Sequence, residues 1–209
     1  MKRIYLMVLI SILLVGCSST KETTSNKELS EGSYVITPTS LFQSKEMKVL
    51  EPHLDMRTGC VEIQYKGDKK WLKTKYEVWK NGELQKSYED LAINISYNNE
   101  KKVEYNGLIS ISIKDNLLLD DSKQSQDMIM TTVIDGSSSR KIIDRYDIGY
   151  SSSEFDLSEL IERKDTEEAA VWALIGIDDR NSKGYSPELT IKETVKGVDW
   201  ALVLKVYFE

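Results

Sequence analysis

Histidine occurs once in this chain, cysteine twice and proline three times. A single histidine excludes a multi-histidine metal site within one chain, and every Ser-His-Asp or Cys-His scheme would depend on His53. Two cysteines permit at most one disulfide, so this is not a bridge-stapled scaffold. No G-x-S-x-G elbow, P-loop, H-E-x-x-H or strand-linked G-x-G-x-x-G is present. The apolar run at residues 4–15 stops well short of the roughly 20 residues that a spanning helix needs. Basic side chains are also in the minority, 28 against 34 acidic ones, giving a formal charge of −6. Phosphate backbones repel such a chain, which makes nucleic acid a poor partner. Anionic headgroups and anionic wall polymers are disfavoured for the same reason.

What is present begins at the leader. Lys2 and Arg3 form a positive n-region, residues 4–15 form a short h-region, and the run ends in Leu14-Val15-Gly16-Cys17. This end resembles the lipobox of bacterial lipoproteins; a secretory leader with an incidental cysteine is the rival reading. The resemblance implies cleavage between Gly16 and Cys17 and a diacylglycerol on the Cys17 thiol, with acyl chains of the palmitate kind. It places the protein on the extracytoplasmic face of the cell membrane. The chemistry requires cysteine, because the thiolate is the nucleophile. Each buried CH₂ adds about 0.8 kcal/mol, so two chains anchor stably where one is marginal. Losing Lys2 and Arg3 with the leader would take the charge from −6 to −8.

Residues 18–31 are polar apart from Leu29, a composition that cannot offset its ordering entropy and reads as a flexible tether. The expected organisation is therefore a signal peptide at 1–16, a tether at 17–32 and a β-domain at 33–209, with a split near 120–127 as the two-domain alternative. With Cys17 acylated, Cys60 has no intrachain partner and reads as a small buried hydrophobe. Absence of disulfides and a Lys-, Asn-, Ser- and Ile-rich composition suit a Gram-positive host. Beyond the leader the chain is similar, in style only, to small β-rich lipoproteins of Gram-positive bacteria, a likeness that transfers no catalytic residue.

The first ordered piece is expected to be a helix near 41–50, with Ser40 and Gln43 spaced as a capping box and Leu41, Met47 and Leu50 as a partial apolar stripe. After Gly59 the period becomes two, with Val61, Ile63 and Tyr65 on one face. Leu72, Thr74, Tyr76 and Val78 share a face of the next strand, and Asn81-Gly82 is a hairpin turn tolerant of positive φ. Return strands follow near 84–88 and 91–97, then 108–114, 128–134 and 142–148, with a turn at Asp135-Gly136-Ser137. Phe155, Asp156, Glu159 and Leu160 fit a staple and capping box, predicting a helix over 157–163. Residues 169–177 are apolar on both faces and read as a buried strand, and Trp200, Leu202, Leu204, Val206 and Phe208 form a terminal core face. The fold class is mainly β: an antiparallel β-sandwich, immunoglobulin-like or related, with one or two short helices.

Chemistry-bearing constellations are weak. A Cys60–His53 dyad oriented by Asp55 can be drawn, but an ordinary loop histidine is the favoured reading. Asp179 to Gly184 mimics a calcium loop, yet Lys183 stands at position 5 and Thr190 at position 12, where calcium needs oxygen ligands. Asp120-Asp121 and Asp178-Asp179 read as solvated turns. No spacing selects a glycosidase carboxylate pair among 34 acids. Trp71 and Trp79 fall on the polar face of one strand about 26 Å apart, too far to share a sugar, and are expected under a neighbouring helix or loop. No catalytic residue, metal ligand or cofactor is assigned. The expected function is a non-catalytic binding module at the cell surface, tethered through Cys17 and meeting an envelope protein or wall component. Envelope hydrolase and small-ligand or metal-ion carrier are the alternatives.

Overall fold

The computed structural model describes residues 29–96, 101–116, 127–144, 150–178 and 190–209. Cys17, most of the tether, Asp120-Asp121 and the Asp179 to Gly184 stretch lie outside them. The elements run β1 (Ser33–Thr39), α1 (Lys45–Leu50), a single 3-10 turn (Glu51–His53), β2 (Arg57–Gly67), β3 (Trp71–Lys80), β4 (Glu83–Asn94) and β5 (Val103–Asn116). They continue with β6 (Asp127–Ile134), β7 (Ser137–Asp144), β8 (Tyr150–Asp156), β9 (Ile161–Lys164), β10 (Ala169–Asp178), α2 (Ile191–Thr194) and β11 (Trp200–Phe208). One sheet has the order β7-β6-β5-β2-β1-β9, the other β4-β3-β11-β10-β8. Every pairing is antiparallel, and the two sheets form the expected β-sandwich.

The alternation that suggests strands also builds the core. Tyr34, Ile36, Val61, Ile63, Ile109, Ile111, Ile113, Met128 and Met130 enter from the six-stranded sheet. Leu72, Leu174, Leu202, Leu204 and Phe208 meet them from the other. Phe208 stacks on Tyr65 with ring centroids 4.3 Å apart and touches Tyr34 at 4.9 Å. Such aromatic pairs add about 0.5–1.5 kcal/mol beyond their buried area. The contact between sheets is close at Gly59, where an added Cβ would lie 2.1 Å from Cδ1 of the buried Trp172. Along one flank Asp90 of β4 lies 3.4 Å from Lys141 Nζ of β7, and Thr74 donates to the same carboxylate at 3.4 Å. Along the other, residues 157–160 carry the chain from β8 in one sheet to β9 in the other.

The strand β10 is buried as expected, but several local expectations need correction. The first ordered element is β1, not a helix: it is hydrogen-bonded to β2 and β9 on its two sides, although only Tyr34 and Ile36 reveal its alternation before Pro38. The helix starts at Lys45 because Ser44, not Ser40, accepts the N–H of Met47, at 3.2 Å. Segments 84–88 and 91–97 are largely one strand, β4, whose ladder with β3 shifts register twice. The helix expected over 157–163 does not form. Ile161 pairs with Ile36 at the edge of the six-stranded sheet, a tertiary pairing that overrides the local capping pattern. The strand expected over 142–148 begins earlier, at Ser137, and residues 145–148 of that expectation lie outside the described ones.

Candidate interaction surface

The five-stranded sheet is apolar on both faces where β10 and β11 run together. Its outer face carries Ala173, Ile175, Ala201 and Val203, and Ile191, Val195 and Val198 from α2 and the turn after it cover them. The helix is only four residues long, and a capping box holds it: Thr190 accepts the Glu193 N–H, and the Glu193 carboxylate accepts the Thr190 N–H at 3.0 Å. That box is written in the sequence as Thr190-Ile191-Lys192-Glu193, a signal sequence reasoning passed over. Beside it, Gly82 (φ +77°) brings the β3–β4 turn so close that a Cβ would sit 2.7 Å from the Lys196 carbonyl oxygen.

The excursion between β1 and β2 behaves differently. Phe42 is buried and anchors it, and the Ser40 hydroxyl accepts the Phe42 N–H at 3.2 Å. Ser44 caps α1, the Leu54 N–H closes the 3-10 turn on the Glu51 carbonyl at 3.1 Å, and Asp55 turns into β2 with φ +48°. No residue of α1 is buried. Met47 is 45% exposed, Val49 62% and Leu50 56%, with Leu41 and Leu54 also open to solvent. Isolated exposed apolar residues need no explanation, but here five large ones fall within fourteen residues on one capped excursion.

A hollow of about 230 Å³ borders this surface, lined by Glu51, Pro52, Asp55, Met56, Arg57 and Asp115. Arg57 is committed there, donating to Ser152 Oγ at 2.9 Å and lying 3.6 Å from an Asp115 oxygen. Burial raises the nearby Glu154 carboxyl above its ordinary range; Asp156 adds to this, while Arg57 and the Thr58 N–H oppose it. A second, open hollow of about 400 Å³ lies where the described chain begins, lined by Leu29, Gln64, Tyr65, Lys66, Glu104, Tyr105 and Asn106.

His53 sits at the end of the 3-10 turn and is exposed, whereas Cys60 is half-buried on β2. Among the described residues no hydrogen bond joins His53, Asp55 and Cys60. Burial pushes the Cys60 thiol up, which disfavours the thiolate that a nucleophile needs. Trp79 is covered as expected and donates to Glu77 at 3.0 Å, but Trp71 is 41% exposed. Glu77 itself was not foreseeable: it reads as a solvated strand residue, yet it is buried and accepts from Lys205 Nζ at 2.7 Å. Among the described residues no group of three or more His, Cys, Asp or Glu is placed to hold a metal, and no helix is long and apolar enough to cross a membrane. No family model matches the chain, and neither a curated protein nor a solved structure shows significant similarity to it.

Proposed function

We propose that this protein is a lipid-anchored, extracytoplasmic binding module, held to the cell membrane through Cys17 and making its contacts through the excursion at residues 41–54. The observation that carries the reading is the exposure of Met47, Val49 and Leu50 on a helix that contributes nothing to the core. A sandwich that already buries its own apolar faces has no folding use for those side chains, so they are available to a partner. The Leu14 to Cys17 pattern supports the anchor, and the polar residues after it support a domain held at a distance.

Two measurements test the two parts. Cys17→Ser should release the protein from membranes and abolish incorporation of labelled fatty acid; unchanged labelling overturns the anchor. A photoreactive side chain at position 49 should give a discrete adduct in intact cells that the same group at exposed Lys102 does not give. Equal or absent adducts at both positions overturn the contact surface.

A further inference from the structure

We infer that the occupant of the 41–54 surface is the lipid bilayer itself, engaged through its apolar interfacial zone rather than through headgroup charge. The inference rests on the proposed Cys17 anchor and names the partner of that same surface.

Reach permits the contact. From Cys17 to Leu29 are twelve residue steps, a span of up to about 40 Å when extended. The surface lies beyond the far end of β1, whose seven residues cover about 20 Å. The tether can therefore lie alongside the domain and let α1 touch the membrane. Concentration favours the bilayer over a soluble partner. A linker this short presents the surface to the membrane at an effective concentration on the order of millimolar, so an individually weak contact is occupied.

The chemistry of the surface fits an apolar zone. Within residues 41–54 Lys45 and Lys48 balance Glu46 and Glu51, so the excursion adds no net charge to an otherwise acidic chain. A neutral surface neither gains from nor is repelled by anionic lipid, and its attraction comes from burying Leu41, Met47, Val49, Leu50 and Leu54. Met47 and Leu50 stand one helical turn apart on one side of α1, and Val49, the most exposed of the set, projects from another side of a helix whose six residues are all exposed. The caps at Ser44 and Glu51 pre-form the helix, so little ordering entropy is spent on contact.

The experiment uses the lipidated full-length protein in neutral phosphatidylcholine vesicles, with Cys60→Ser as background and a nitroxide on Val49→Cys or, as control, on Lys102→Cys. Lys102 pairs with Glu31 at the opposite end of β2 and β5. Docking predicts that the label at 49 gains oxygen collisions and loses collisions with a water-soluble nickel complex. The label at 102 should stay aqueous, and added salt should change neither. A label at 49 as aqueous as that at 102, in protein that still floats with vesicles, overturns docking while leaving the anchor standing. Failure to float overturns the anchor, and docking with it. Spin–spin broadening at 49 that disappears on dilution with unlabelled chain identifies a second copy as the occupant and also overturns docking. Should Cys60→Ser disturb the fold, amide exchange of residues 45–50 in the otherwise native lipidated chain provides the same test: it should slow relative to the unlipidated Cys17→Ser chain, and equal exchange overturns docking.

Discussion

The two short helices, α1 and α2, are alike in local chemistry and opposite in use. Each starts from a hydroxyl cap, Ser44 in one and Thr190 in the other, and each carries a glutamate in its first turn. In α2, Ile191 is buried on the outer face of the five-stranded sheet, together with the following Val195 and Val198. In α1 nothing is buried, although the helix carries Met47, Val49 and Leu50. Capping sets where a short helix starts; it does not decide what the apolar side of that helix meets. The sheet beneath α2 is apolar on both faces and would expose Ala173, Ile175 and Val203 without a cover. That need accounts for α2, and no comparable need accounts for α1.

Substitutions can break this contrast or sharpen it, and the largest effect belongs to the covering helix. Ile191→Ala removes a buried side chain from the outer cluster and should cost about 2–5 kcal/mol in urea unfolding. A cost near zero would mean that α2 is as dispensable to the fold as α1. Next comes the cap: Thr190→Ala should lower global stability by about 1 kcal/mol. Ser44→Ala, in a helix that packs on nothing, should only speed local amide exchange of residues 45–50. Equal shifts in the unfolding midpoint would erase the distinction.

A smaller effect is expected from pH. Hydrogen bonds from the Thr190 hydroxyl and N–H hold the Glu193 carboxyl below its ordinary range. A carboxyl lowered in the folded state contributes stability above its unfolded pKa and loses it as pH falls through the folded value. Acidification through the carboxylate range should therefore destabilise the native protein more than Glu193→Gln. For Glu46, lowered by its own backbone N–H and by Ser44, the same acidification should fray α1 without moving the global transition. Smallest of all, Val49→Ser with Leu50→Ser should change global stability by less than about 0.5 kcal/mol per site, since exposed positions rarely exceed that. A cooperative loss of several kcal/mol would show that the excursion belongs to the core after all.

The strands that could be read from sequence are those whose side chains divide cleanly between two environments. Val61, Ile63 and Tyr65 in β2 and the alternate residues of β11 face the core, and their pattern is plain. By contrast, β8 contains Ser151-Ser152-Ser153, which carries no apolar period, and its place as a strand comes from pairing with β10. The helix expected over 157–163 shows the reverse error, a local motif overruled by a sheet edge. For the excursion, Leu41, Met47 and Leu50 read as a partial apolar stripe on one helix, but only Met47 and Leu50 of that stripe lie on α1, which starts at Lys45. Sequence spacing reports which residues share a face, but what lies against that face depends on the rest of the chain. The open state of the stripe, and the burial of Glu77 beneath Lys205, therefore became visible only in three dimensions.

The position of β11 has a consequence for the order of assembly. It lies between β3 and β10, whose only link within their sheet is through it. Both the β3–β4 hairpin, which ends at Asn94, and the β8–β10 pair, which ends at Asp178, precede residues 200–208 in the chain. Each is then a two-stranded fragment, marginal by itself in water. One half of the sandwich thus stays open through most of synthesis, and the core closes late, when a single strand arrives to join two waiting pieces.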